Sequence, residues 1–172
     1  EMKGIEDPAD AAFDLLIEEE GNVTMIAHWG LEEDMMLAMK SPYFTVGSDS
    51  IFGEKPHPRL SGTQPRVLGR YVREKKVLRL ERAIHSMTGA LAQLLRLEKR
   101  GTLQKDHWAD IVVFDPKTIE DKATYEEPKN DPVGIDYVIV NGKICVDHGV
   151  CHLEGDGQVI RGSAVKKLSG AH

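Results

Sequence analysis

Tyr43-Phe44-Thr45-Val46-Gly47-Ser48-Asp49-Ser50 is the stretch on which the fold turns. Aromatic and β-branched residues lead into a Gly-Ser-Asp-Ser sequence, the pattern of a short buried strand that ends in a polar loop. Upstream, Val23 to Trp29 is another short apolar run with β-branched residues and reads as a strand. Between the two, Leu31 to Lys40 reads as a helix with Leu31, Met35, Leu37, Ala38 and Met39 available to pack, the Met side chains filling core. Strand, helix, strand at this spacing predicts a βαβ unit of a parallel sheet. In such sheets and barrels functional groups gather at the carboxyl ends of strands. Asp49 lies at such an end, which makes it the most informative position in the chain.

Working outward, Asp7-Pro8-Ala9-Asp10 opens a helix, with Pro in the first turn and acids near the positive end of its dipole. Ala12, Phe13, Leu15, Leu16 and Ile17 give it an apolar stripe, and Gly21 stops it. Beyond Asp49, Ile51 to Leu60 is a loop containing Gly53, Pro56 and Pro58. Helical patterning follows from about Gln64 to Lys76 and again from Leu80 to Leu95. After Gly101 the character changes. Asp110 to Asp115, Ile135 to Val140 and Lys143 to Asp147 read as strands, the last two joined by Asn141-Gly142, a strong two-residue hairpin turn. Residues 1–100 are thus expected to be α/β, 101–154 a separate antiparallel unit, and 155–172 a frayed tail.

The 172 residues, 41% hydrophobic and 29% charged, have an ordinary globular composition. A net charge of −6 argues against a nucleic-acid partner. The densest basic stretch, Arg66 to Arg82, is interrupted by Glu74 and Glu81 and reads as a solvated helix face. No apolar run approaches the roughly 20 residues needed to span a bilayer, and the opening Glu1-Met2-Lys3-Gly4 does not resemble a signal peptide. Two cysteines, Cys145 and Cys151, fit a reducing cytoplasm. The abrupt start, a polar stretch running into a helix with no initiating strand, is what a piece of a larger enzyme would show.

Three places can carry chemistry. A carboxylate at Asp49 can ligate a divalent metal, act as general base on a metal-bound water, or simply cap a turn. In Lys55-Pro56-His57-Pro58-Arg59 the prolines stiffen the loop. Arg59 could then grip a carboxylate bidentately, and His57 could be a ligand, a proton shuttle or a supporting hydrogen bonder. The bland reading is a rigid loop with solvated side chains. His28 reads as a packed, hydrogen-bonded residue rather than a ligand. Cys145, His148, Cys151 and His152 match no common structural zinc spacing, and a hairpin register would scatter them over both faces. No Gly-x-Ser-x-Gly elbow, phosphate loop or His-Glu-x-x-His pair is present.

Val46-Gly47-Ser48-Asp49, His57-Pro58-Arg59 and Gly62-Thr63-Gln64-Pro65-Arg66-Val67-Leu68-Gly69 together closely resemble the D-aminoacylase branch of the amidohydrolase superfamily. The similarity continues through Ala83 to Thr88, Arg100-Gly101, Ala109 to Pro116 and Gly134 to Gly142. The resemblance implies the last βα units of a metal-binding (β/α)8 barrel followed by antiparallel strands of a small β-sandwich. It implies a zinc-dependent hydrolase acting on small N-acyl-D-amino acids. Asp49 would be the catalytic carboxylate and a zinc ligand, Arg59 the grip on the substrate's α-carboxylate, and His57 a supporting residue.

Two departures stand out: Ser50 occupies a position where Gly is commoner, and Lys105-Asp106-His107-Trp108 replaces a Gly-containing approach to a sandwich strand. The other metal ligands are expected upstream of residue 1, so this chain alone is expected to be inactive and to lack zinc, and its uncovered barrel strands are expected to cause self-association or a rearranged N-terminal half. Rival readings are a cyclic-amide or dipeptide hydrolase, against which the His-Pro-Arg loop counts, and a non-catalytic scaffold.

Overall fold

A computed structural model describes residues 7–23 and 30–152. They belong to two compact units, residues 1–32 and 33–172. In the first unit α1 (Pro8–Glu18) begins as its sequence demands. Asp7 is extended, its carboxylate accepts the Ala9 N–H at 2.8 Å, and Pro8 occupies the first turn, where no donor is needed. The helix closes with the Gly21 N–H donating to the Leu16 carbonyl at 2.8 Å, Gly21 taking φ +78°. The strand expected over Val23 to Trp29 lies, apart from Val23, outside the described residues, as does His28.

The helices of the second unit are α2 (Glu32–Met39), α3 (Arg59–Arg66), a π-helix (Val67–Glu74), α4 (Leu80–Met87) and α5 (Gly89–Leu94). The expected helix of about 64–76 therefore starts earlier, at Arg59, and changes winding at Val67. The single helix expected over 80–95 is broken at Thr88 (φ −126°, ψ −87°). Met39, Val46, Val67, Leu68, Tyr71, Leu78, Ala83 and Ile119 form the buried core, with Phe44, Val72, Ile84, Phe114 and Ile135 packed against it.

The strand expected over Tyr43 to Val46 is not formed, and the described residues contain no parallel ladder. Its apolar content is used differently. Phe44 and Val46 turn into the core, whereas Tyr43 is exposed. The Val46 N–H donates to the Ser86 carbonyl at 3.2 Å. A strand exists only through neighbours that accept and donate along its length, and here the residues alongside are helical.

The sheet is an antiparallel meander, β1 (Ile111–Phe114), β2 (Ile135–Val140), β3 (Lys143–Asp147) and β4 (Val150–Cys151), in that spatial order. Val138 pairs with Val112 on one side and Val146 on the other. Asn141 and Gly142 both take positive φ (+52° and +83°), as the expected turn requires. β4 was not expected; His148-Gly149 makes a second positive-φ corner leading into it.

The arm between β1 and β2 doubles back, with a bridge between Glu120 and Val133. It carries Ile119 into the helical core. Gly134 allows this: at φ +81° it has room for no side chain, since a Cβ would come within 2.5 Å of the Ile119 nitrogen. The π-helix meets the same arm at Gly69, where the Ile119 carbonyl would lie 2.8 Å from a Cβ. Arg73 donates to that carbonyl at 2.5 Å.

A second tie runs through Arg100, whose side chain is only 9% exposed. It pairs with the Asp110 carboxylate, donates to Asn141 Oδ1 at 2.6 Å and lies 5.1 Å from the Trp108 ring centre. Burial pushes the Asp110 pKa up, but the Asn141 N–H and Arg100 together overcome this and hold the group below its usual range. The bend that the resemblance assigns to glycine is made by Asp106 at φ +65°.

Candidate active site

Asp49 follows the buried Val46 by three residues and takes φ +49°, a left-handed conformation that Asp tolerates better than most side chains. It is thus not at a strand end, but the bend still projects its carboxylate outward, 91% exposed. From there Asp49 Oδ2 meets Arg59 Nη2 at 3.1 Å. Arg59 is the first residue of α3, preceded by Pro58 in helical conformation (φ −52°, ψ −24°).

A helix start leaves backbone N–H groups without intrahelical acceptors. The Arg59 N–H is satisfied by His57 Nδ1, at 3.0 Å. The Leu60 N–H goes to the His57 carbonyl and the Gly62 N–H to the Pro58 carbonyl, both at 3.0 Å. Thr63 Oγ1 returns to the Arg59 carbonyl at 2.7 Å. Pro56 is buried, so the loop enters this cap from a fixed point. The two prolines and the imidazole together set the backbone from which the Arg59 side chain departs.

His57 Nε2 lies 3.2 Å from Tyr125 Oη, and the rings meet edge to face at 5.2 Å and 79°. Because Nδ1 accepts the Arg59 N–H, the neutral ring carries its proton on Nε2, and Tyr125 Oη is the acceptor. Burial first, and the Arg59 charge second, lower the His57 pKa below its usual value. A ring held this way has no free nitrogen with which to ligate a metal or shuttle a proton. Ser50 Oγ and Arg59 Nε are buried without a hydrogen-bond partner among the described residues.

The structure therefore brings Asp49, His57 and Arg59 together and adds Tyr125, which the sequence reading missed. Nothing local marks Tyr125, 68 residues beyond His57 in the arm before β2. Cys145 and His152 are joined only by the His152 N–H to the Cys145 carbonyl, at 2.8 Å across β3 and β4. Among the described residues no three His, Cys, Asp or Glu side chains converge to hold a metal ion. Asp49 is paired with a cation instead. These residues do not, by themselves, fit a resident zinc ion, which takes three protein ligands in a catalytic site. No helix among them is long and apolar enough to cross a membrane.

A family described as the amidohydrolase family matches residues 9–146. A D-aminoacylase of Alcaligenes xylosoxydans is 50% identical over 98 residues, which is 56% of this chain and 20% of the relative. A solved D-aminoacylase, studied for the role of its binuclear metal centre, is 39% identical with a TM-score of 0.72, over 76% of this chain and 28% of that one. The N-acyl-D-glutamate deacylase of Bordetella bronchiseptica, solved with zinc and a phosphonate inhibitor, is 45% identical with a TM-score of 0.64, over 66% and 24%. The chain thus spans a fifth to little more than a quarter of the length of these relatives.

Proposed function

The chain belongs to the amidohydrolase family, and from that premise we propose that it is the C-terminal portion of an enzyme that hydrolyses N-acyl-D-amino acids to a carboxylate and a free D-amino acid. The observation that carries this reading is the meeting of Asp49 and Arg59 at 3.1 Å, within the residues 9–146 that match the amidohydrolase family.

The two groups have complementary tasks. Arg59 is always charged, and its planar fork suits a substrate α-carboxylate. When a substrate carboxylate takes the guanidinium, Asp49 is released from it. The freed carboxylate accepts a proton from water as the new C–O bond forms, then delivers that proton to the amine nitrogen as the C–N bond breaks.

Zinc belongs, in this reading, to the longer enzyme, with Asp49 its one candidate ligand in this chain. The support is that relatives were solved with a binuclear metal centre or with zinc. Residues 1–100 would be the last barrel units with trailing helices, 101–154 strands of the small sandwich, and 155–172 a tail. The barrel needs about 250 residues in full, so the isolated chain is proposed to be inactive, without stoichiometric zinc, self-associating, and cytoplasmic in origin.

The test compares the chain, the longer enzyme, and the longer enzyme carrying Asp49→Ala or Arg59→Lys. Zinc content and hydrolysis of N-acetyl-D-amino acids are measured. Removing the acid–base group is expected to slow turnover by roughly 10²–10⁴-fold. Arg59→Lys is expected to act mainly on KM for the carboxylate-bearing substrate. Zinc binding and turnover by the 172-residue chain alone would overturn the division of ligands, and an active Asp49→Ala enzyme would overturn the role of Asp49. Light scattering tests self-association: a monodisperse monomer at high concentration speaks against it.

A further inference from the structure

We infer that Tyr125 is a positioning residue for Arg59, acting through His57. The consequence of this orientation for catalysis rests on the deacylase function proposed for the site.

The contacts form one line. Tyr125 Oη meets His57 Nε2 at 3.2 Å, His57 Nδ1 accepts the Arg59 N–H at 3.0 Å, and Arg59 Nη2 reaches Asp49 at 3.1 Å. Each link constrains the next. The phenol holds the ring edge-on and takes the Nε2 proton, which leaves Nδ1 as a pure acceptor. Nδ1 in turn fixes the first N–H of α3, hence the backbone from which the Arg59 side chain departs. An arginine gripping a carboxylate needs orientation as well as charge, and small misplacement of a positioning group is costly.

The line also crosses the fold. Tyr125 belongs to the arm between β1 and β2, and that arm is anchored independently of it. Ile119 is buried in the core, Arg73 holds the Ile119 carbonyl, and Arg66 pairs with Asp121 at 2.8 Å. Next to the Tyr125–His57 contact, Glu54 and Lys55 face Glu126, Glu127, Pro128 and Lys129 across a cleft of about 490 Å³. The arm is therefore an anchored support that meets the His57 loop at Tyr125 and lies against α3 at Gly62, where Asp121 and Ala123 would contact a Cβ. Of these contacts, the one at Tyr125 is the one that bears on the His57 ring, and through it on the Arg59 N–H.

Tyr125→Phe is the informative variant, because it keeps the ring and removes only the hydroxyl that faces His57 Nε2. In the 172-residue chain, amide exchange at Arg59 is measured together with the ¹⁵N signals of the His57 ring. The wild type is expected to show an unprotonated Nδ1, a protonated Nε2 and a protected Arg59 amide at neutral pH. In Tyr125→Phe that amide is expected to exchange roughly threefold to tenfold faster, the loss of one hydrogen bond's net effect. Val138 in the sheet should be unchanged, as the control for folding. Unchanged protection at Arg59 and an unmoved His57 signal would overturn the proposal.

In the longer enzyme, the same variant is expected to raise KM for N-acyl-D-amino acids while leaving kcat within about twofold, the signature of lost uniform binding. If Arg59 protection falls but KM does not move, the positioning line stands and the assignment of Arg59 to the substrate carboxylate fails.

Discussion

The sheet from Ile111 to Cys151 and the segment from Tyr43 to Arg59 solve the same problem in opposite ways. From β2 to β4, backbone donors and acceptors are met by the next strand along the chain, across corners of two residues, while β1 reaches β2 through the arm of residues 115–134. Around the segment, local bonds such as the Phe44 N–H to the Ser41 carbonyl and the Arg59 N–H to His57 Nδ1 are supplemented from far away. Ser86 receives the Val46 N–H, Arg82 donates to the Ser41 and Pro42 carbonyls at 3.0 and 2.8 Å, and Tyr125 steadies His57. One region carries its geometry within itself, while the candidate site borrows its geometry from α4 and the β1–β2 arm. A loop built this way can be tuned from outside, at the cost of depending on its supports.

That contrast can be broken most severely in the middle of the sheet. Val138→Pro removes a donor from a strand paired on both sides and is expected to abolish the sheet, read as loss of cooperative unfolding by circular dichroism. Thr45→Pro, in a segment with no ladder, should shift stability by less than about 1 kcal/mol. Equal damage from the two would mean that residues 43–46 do pair as a strand.

Next comes the shared support. Ile119 is 2% exposed, and Ile119→Ala should cost about 2–5 kcal/mol in denaturant unfolding. Because Ile119 anchors the arm that carries Tyr125, amide protection at Arg59 should fall as well. Loss of stability without any change at Arg59 would separate arm and site.

Two pH effects sharpen the comparison further. The folded pKa of Asp110 is below its unfolded value, so its contribution is present above the ordinary carboxylate range and lost as pH falls through it. Thermal melts of wild type and Asp110→Asn should therefore converge as pH drops below about 4. His57 also has a lowered folded pKa, which makes its contribution complete above about pH 6.5 and progressively lost below it. Its effect is the smaller, because the ring is exposed. Melting curves of wild type and His57→Gln should differ slightly at pH 7.5 and less at pH 5.5.

Legibility follows the same division. The bounds of β2 and β3 and the corner between them were plain, because Asn141-Gly142 and the flanking β-branched residues act over a few positions. Asp7-Pro8 announced α1 for the same reason. Tyr43 to Val46 has equally strand-like composition, yet strand formation depends on partners that composition does not specify. Asp49, His57 and Arg59 were legible as candidates through their prolines, glycine and charges. Tyr125 was not, since only the doubled-back arm brings it near His57. The change from α- to π-winding at Val67 was also hidden: its apolar spacing reads simply as helix.

That π-helix has one further consequence. Its closing bond runs from the Lys75 N–H to the Arg70 carbonyl, one residue wider than an α-turn. Removing a single residue between Val67 and Glu74 would restore the narrower winding and rotate everything after it by about 100°. Arg73 would then swing away from the Ile119 carbonyl, and Tyr71 away from the core. The chain can change many letters here, but not its length. Kindred sequences that keep the arm against this helix are expected to differ by substitution and to show no gaps across these eight residues.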